Sequence, residues 1–248
     1  MRLRHFPSLA LIAALAACDS GDPVAPQVDI DAALTEIATG AVSFGSFGMG
    51  STVPMPAANS ASCAFDAPSG YFKCPPVTAN GITFARQFQL RDASGSPLST
   101  RDPLLVASIR SVTDVDGSIA ASAELPIAIQ IQRHDDATLS GLQSTNRVLD
   151  GVATQAVTVS SDQATITVND TTTTTQLKLP STPQQKYPLG GTIVSSGAIY
   201  DADAVPEKYR IEITFDGTSI VTVKTTFGGE TWTCRLNLAN ADSEPVCT

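Results

Sequence analysis

The sequence predicts an all-β fold, an antiparallel meander of about ten strands led by one short helix, and three observations carry that reading. Apolar residues recur with period two from about residue 59 onward. Ile82, Phe84, Phe88 and Leu90 alternate with Thr83, Ala85, Gln87 and Gln89, and Ile127, Ile129 and Ile131 with Ala128, Gln130 and Gln132. Ile211, Ile213 and Phe215 share one parity, as do Trp232, Cys234, Leu236 and Leu238. One apolar and one wet face is the mark of antiparallel strands. Between such runs stand Asn80-Gly81, Asp116-Gly117, Asp150-Gly151, Asn169-Asp170 and Asp216-Gly217, residue pairs that tolerate the positive φ of tight hairpin turns. Finally, a helical period occurs near the N-terminus, with Ile30, Ala33, Leu34 and Ile37 on one stripe, Asp29 as N-cap and Gly40 as the stop. Periodicity leaves a β-sandwich, a closed barrel and a curved open sheet as equal outcomes.

The chain opens with MRLRHFPSLALIAALAA, two arginines ahead of a short apolar run. That is the layout of an export signal, and the run is shorter than the roughly 20 apolar residues a membrane-spanning helix needs. Leu15-Ala16-Ala17-Cys18 then resembles the lipobox of bacterial lipoproteins, a Leu and two small residues before a Cys. The resemblance implies removal of residues 1–17, diacylglycerol on the Cys18 sulfur, and a protein held on the extracytoplasmic side of a bacterial envelope membrane. Acyl chains at about 0.8 kcal/mol per buried methylene make such an anchor nearly irreversible. Asp19 resembles the inner-membrane retention signal of enteric bacteria, a rule that does not extend across bacterial groups, and the outer membrane is favoured.

Removal of Arg2 and Arg4 leaves 13 basic against 24 acidic residues, a formal charge of −11. Such a chain lacks the basic footprint that nucleic acid requires. Its hydrophobic fraction of 42% is enough for a core. Residues 18–28, polar and proline-bearing, read as a tether. Residues 29–58 hold the helix and a Gly-rich stretch expected to cover one end of the sheet, with a mobile lid as the alternative, and residues 59–248 form one β domain.

With Cys18 lipidated, four cysteines remain, an even number suited to two disulfides in an oxidising compartment. In SCAFDAPSGYFKC the turn Ala67-Pro68-Ser69-Gly70 has Pro and Gly where a type I turn favours them, and pairing outward sets Cys63 opposite Cys74. Cys234 and Cys247 pair by elimination. Neither pair has C-x-x-C spacing, so neither zinc nor thioredoxin-like chemistry is expected.

No catalytic motif is present: there is no H-E-x-x-H, G-x-S-x-G or phosphate-binding loop. His134 in RHDDATLSG is the one histidine of the mature chain and reads as a solvated loop residue. Thr113-Asp114-Val115-Asp116-Gly117 resembles the opening of a calcium loop, but position 12 counted from Asp114 is Leu125 instead of Glu, and a hairpin turn is the simpler reading. Asp201 and Asp203 are a chance pair in an acidic chain. No metal or cofactor is therefore expected.

Two features break the pattern. Arg86 shares the parity of Ile82, Phe84, Phe88 and Leu90, so an unbroken strand turns a guanidinium toward the apolar face. It must meet a carboxylate, sit at a cavity mouth as a binding residue for an anionic or amphipathic ligand, or be turned out by a bulge. Thr171 to Thr175 form a polar run read as a loop tip or solvated strand. The expectation is a non-enzymatic, lipid-anchored envelope protein that binds a protein partner or is structural. The alternatives are an open-barrel carrier of a lipid or other hydrophobic ligand and, remotely, a carboxylate-based hydrolase.

Overall fold

The computed structural model describes residues 28–45, 60–123, 125–180, 186–201, 205–239 and 246–248. One helix, α1 (Ile30–Gly45), precedes a single open antiparallel sheet of 14 strands. The strands are β1 (Ala64–Asp66), β2 (Tyr71–Lys73), β3 (Val77–Ala79), β4 (Ile82–Arg91), β5 (Pro97–Leu98), β6 (Ser108–Ile119), β7 (Ala128–Ser140), β8 (Arg147–Ser160), β9 (Thr165–Leu179), β10 (Gly190–Asp201), β11 (Glu207–Phe215), β12 (Ile220–Phe227), β13 (Glu230–Asn237) and β14 (Val246–Cys247). From β6 to β14 each strand pairs with its chain neighbour, a meander, while β2, β3 and β5 share the outer edge of β4. The surplus over ten consists of two- and three-residue strands, too short to show a period.

Asp29 caps α1 as expected: its Oδ1 accepts from the Ala32 amide at 2.9 Å. Ile30, Ala33, Leu34 and Ile37 are all buried. The helix runs through Gly40 to Gly45, because a helical glycine costs only about 1 kcal/mol, which packing elsewhere along the helix offsets. Residues 46–59 lie outside the described residues, and with them most of the segment read as a cover or lid.

Asn80-Gly81 and Asp216-Gly217 are turns, as expected. Asp116-Gly117, Asp150-Gly151 and Asn169-Asp170 are not, for all three lie inside long strands. Gly117 answers to a close approach: a Cβ there would lie 2.2 Å from the Gly81 carbonyl oxygen. Asp150 anchors a bulge. Leu149 pairs with Leu177 but Gly151 with Thr174, so β9 carries one extra residue at Gln176, whose φ is +50°. The Asp150 carboxylate holds it by accepting from the Gln176 amide at 2.7 Å and from its Nε2 at 3.0 Å. The extra residue reverses parity, so that Thr172, Thr174, Leu177 and Leu179 are all buried on one face. The Thr171 to Thr175 run is thus neither a loop tip nor wholly solvated.

The larger core lies where α1 packs against β6, β7, β8 and β10. It joins the helix stripe to Leu90, Ile109, Leu139, Leu149 and Leu177, which are opposite one another across five strands, and to Ile193, Ile213, Phe215 and Val221 from the other half of the sheet. A smaller cluster, Ile82, Phe84, Val115 and Ile131, lies toward the other end of the same strands. Both disulfides form as expected: Cys63–Cys74 and Cys234–Cys247, with Cα atoms 4.0 and 3.9 Å apart. They staple the two margins of the sheet, and they point to an oxidising, extracytoplasmic compartment.

Candidate functional site

Between the two apolar clusters the buried face turns polar. Following the register from β4 to β10, one row reads Arg86, Thr113, Asp135, Ala153, Thr172, Ser195. The next reads Phe84, Val115, Arg133, Gln155, Asp170, Gly197 and, on β11, Tyr209. These two rows form a belt across the sheet.

Two networks organise it. Arg133 and Asp135, 8% and 6% exposed, face each other along β7, with Nε 2.8 and 3.0 Å from the two carboxylate oxygens. Burial pushes the Asp135 carboxyl above its usual range, and the Arg133 charge acts against that. Asp170 accepts from the Tyr209 hydroxyl at 2.9 Å and from Gln155 Nε2 at 3.0 Å. Tyr209 reaches it from β11 across Gly197 of β10, where a Cβ would stand 2.7 Å from that of Asp170. Burial raises the Asp170 carboxyl too, while Tyr209, Gln155, Arg133 and Ser195 draw it down. The Tyr209 phenol is pushed up, first by burial and then by the neighbouring carboxylate.

Arg86 belongs to this belt. β4 pairs with β6 without interruption from Ile82 to Arg91, so no bulge turns the side chain out. It is half-buried. Burial lowers its proton affinity, and the charge of Asp31 in the first turn of α1 raises it. Asp31 is itself engaged, accepting from the Ser60 amide at 2.6 Å. A second link between helix and sheet is the Glu36–Arg147 ion pair, where burial pushes Glu36 up and Arg147 opposes the shift.

His134 does not lie in a loop: it sits within β7 on the opposite face, more than half exposed, with Nδ1 2.6 Å from Asp114 Oδ1. Beside it Arg110 holds Asp136 through two contacts of 2.8 and 2.5 Å, which lowers the Asp136 carboxyl. Thr113 to Gly117 lie in β6 and form no calcium loop. Among the described residues no group of three His, Cys, Asp or Glu side chains is placed to hold a metal ion. Cys18, where lipidation is expected, and Asp203 lie outside the described residues.

The belt was readable in principle from the parity that exposes Arg86. Ile129 and Ile131 continue to Arg133, Asp135, Ala137 and Leu139, an apolar register interrupted by two charges. On β9 the bulge hides the same signal, because Asp170 and Leu177 differ in parity yet share a face. Comparison of the chain with family models, with curated proteins and with solved structures returns no match.

Proposed function

We propose that the chain is a lipid-anchored, extracytoplasmic β-sheet protein of a bacterial envelope, outer membrane favoured over inner, that serves as a partner-binding or structural module and not as an enzyme. The observation that carries the second half is how the belt spends its charges. Asp135 and Asp170 are shifted in the same direction by the same cause, burial, and each is held by its own partners. A carboxylate-based hydrolase needs two carboxyls in opposed environments beside an open cleft, one kept as acid and one as base. Buried carboxyls each held by their own donors instead rigidify and specify a sheet. The two disulfides and the Leu15-Ala16-Ala17-Cys18 sequence support the envelope location.

A second reading has one observation of its own. Arg86, a half-buried guanidinium in no ion pair among the described residues, stands beside Phe84 and Phe88 and is suited to the head of an amphipathic anion, as a carrier would require. Native mass spectrometry of the mature protein from its own envelope, before and after in-situ cross-linking, separates the two. A stoichiometric protein adduct and a domain that carries no lipid beyond its covalent anchor support the module. A lipid that co-purifies at unit stoichiometry and is lost in Arg86→Leu establishes the carrier instead.

A further inference from the structure

The open sheet has two outer edges, and they are closed differently. At one, β1 is only three residues long. Toward the other stands β13, eight residues that keep register with β12 from Glu230 to Asn237 without a bulge and contain no proline. A strand of that kind offers a row of backbone donors and acceptors to any other strand, and proteins guard against this with short edges, proline or bulges. Here the guard is β14, two residues opposite Cys234 and Arg235. The Thr233 amide donates to the Thr248 carbonyl at 3.3 Å and the Thr233 carbonyl accepts from the Thr248 amide at 2.9 Å, so Thr231, Thr233 and Arg235 turn their backbone groups outward. Beside Glu230 to Trp232 no strand lies on that side among the described residues. β14 buries neither of its side chains, and Val246 is 70% exposed. Packing therefore does not hold it in place; the Cys234–Cys247 bridge does.

The edge under this guard is complementary to itself. A two-fold axis through Thr233 lays the β13 of a second copy antiparallel on the first, with Thr231 opposite Arg235, Thr233 opposite Thr233 and Arg235 opposite Thr231, so that all three outward positions are matched. The same reversal sets the Glu230 end of one copy, the strand's one acid, beside the Arg235 end of the other, its one base. Trp232, 39% exposed, then lies opposite Cys234 of the second copy and diagonal to that copy's Trp232, within reach of an aromatic pair. We propose that the β13 edge is a self-association surface whose partner is a second copy of this chain, and that β14, pinned by Cys234–Cys247, keeps it closed. The pairing uses up both β13 edges, so assembly stops at a two-fold dimer. Nothing in it depends on the lipid anchor or on Arg86.

The test is the chain from residue 18 onward carrying Cys18→Ser, with and without Cys234→Ser/Cys247→Ser, read by sedimentation equilibrium and by the emission of Trp232, the chain's one tryptophan. With the bridge in place the expected result is a monomer with the emission of an exposed indole. Without it, the mass doubles as concentration rises and the emission shifts to the blue. Adding Thr231→Pro, which removes one outward amide and leaves the backbone bonds to β12 in place, should return the monomer. A monomer at every concentration without the bridge, a dimer with the bridge intact, a dimer that survives Thr231→Pro, or growth beyond a dimer overturns the proposal. If the double serine variant does not fold, the same readings are taken on the folded chain after a dithiol has opened this bridge alone, two cysteine thiols forming as the dithiol becomes a disulfide, with mass labelling of Cys234 and Cys247 to confirm the site.

Discussion

Replacing Arg133 by Met keeps the length of the side chain and removes the charge, leaving Asp135 buried at 6% exposure without the guanidinium that faces both its oxygens. Breaking a buried pair in this way costs about 3–5 kcal/mol. The carboxyl limits the cost by taking up a proton: carrying it from its usual 3.8 to neutrality at about 1.36 kcal/mol per unit sets a ceiling of roughly 4.4 kcal/mol at pH 7. The same arithmetic at pH 5 gives a ceiling of about 1.6 kcal/mol. Urea unfolding of wild type and Arg133→Met at both values should therefore show a loss of about 3–4 kcal/mol at pH 7 that shrinks by more than half at pH 5. The double variant Arg133→Met/Asp135→Leu should recover much of the loss at pH 7, since no charge is left stranded. A loss under about 1 kcal/mol, or one independent of pH, would refute the claim that this pair is a buried, mutually dependent unit.

The whole chain should share that sense of pH dependence. Glu36, Asp135 and Asp170 have folded-state affinities raised by burial, so they favour folding most when protonated and less as pH rises through the raised values. Exposed Asp66, Asp92 and Asp216 are lowered by hydrogen bonds and lose their contribution as pH falls below about 4. Thermal unfolding should thus show a maximum on the acid side of neutrality, and a flat or alkaline optimum would contradict this. Gly117→Val forces a Cβ onto the Gly81 carbonyl and should cost about 2 kcal/mol or more in urea, whereas Gly95→Ala, with open space around it, should cost only the left-handed backbone penalty of about 1 kcal/mol. Cys234→Ser with Cys247→Ser releases a 13-residue closure and should lower stability by about 3 kcal/mol, with thiol titration confirming that the wild type holds no free thiol at these positions.

Where local rules and the tertiary context agree, the sequence is transparent. The α1 stripe, the Asp29 cap, the alternation in β4 and β7 and the Cys63–Cys74 hairpin disulfide follow from local spacing, and Cys234–Cys247 follows by elimination once Cys18 is set aside. Asp-Gly and Asn-Asp pairs mislead because the properties that suit them to turns also suit them to other tight places. Gly117 and Gly151 serve backbone approach within a sheet, and Asp150 serves a bulge. The belt is harder to see, since its members come from seven strands and meet only once register is fixed. Arg86 in β4 and the Arg133–Asp135 interruption in β7 are its signs in the sequence, charges whose parity conflicts with an otherwise apolar series.

The central claim, a sheet domain tethered outside the cytoplasm by a lipid, rests on Cys18, and intact-mass analysis of the N-terminal peptide from the protein expressed in a bacterial host with lipoprotein processing tests it directly. The expected peptide begins at Cys18 and carries a diacylglyceryl thioether, with a fatty-acid analogue incorporated in the wild type and absent in Cys18→Ser. A peptide that begins elsewhere, or at an unmodified Cys18, would contradict the account.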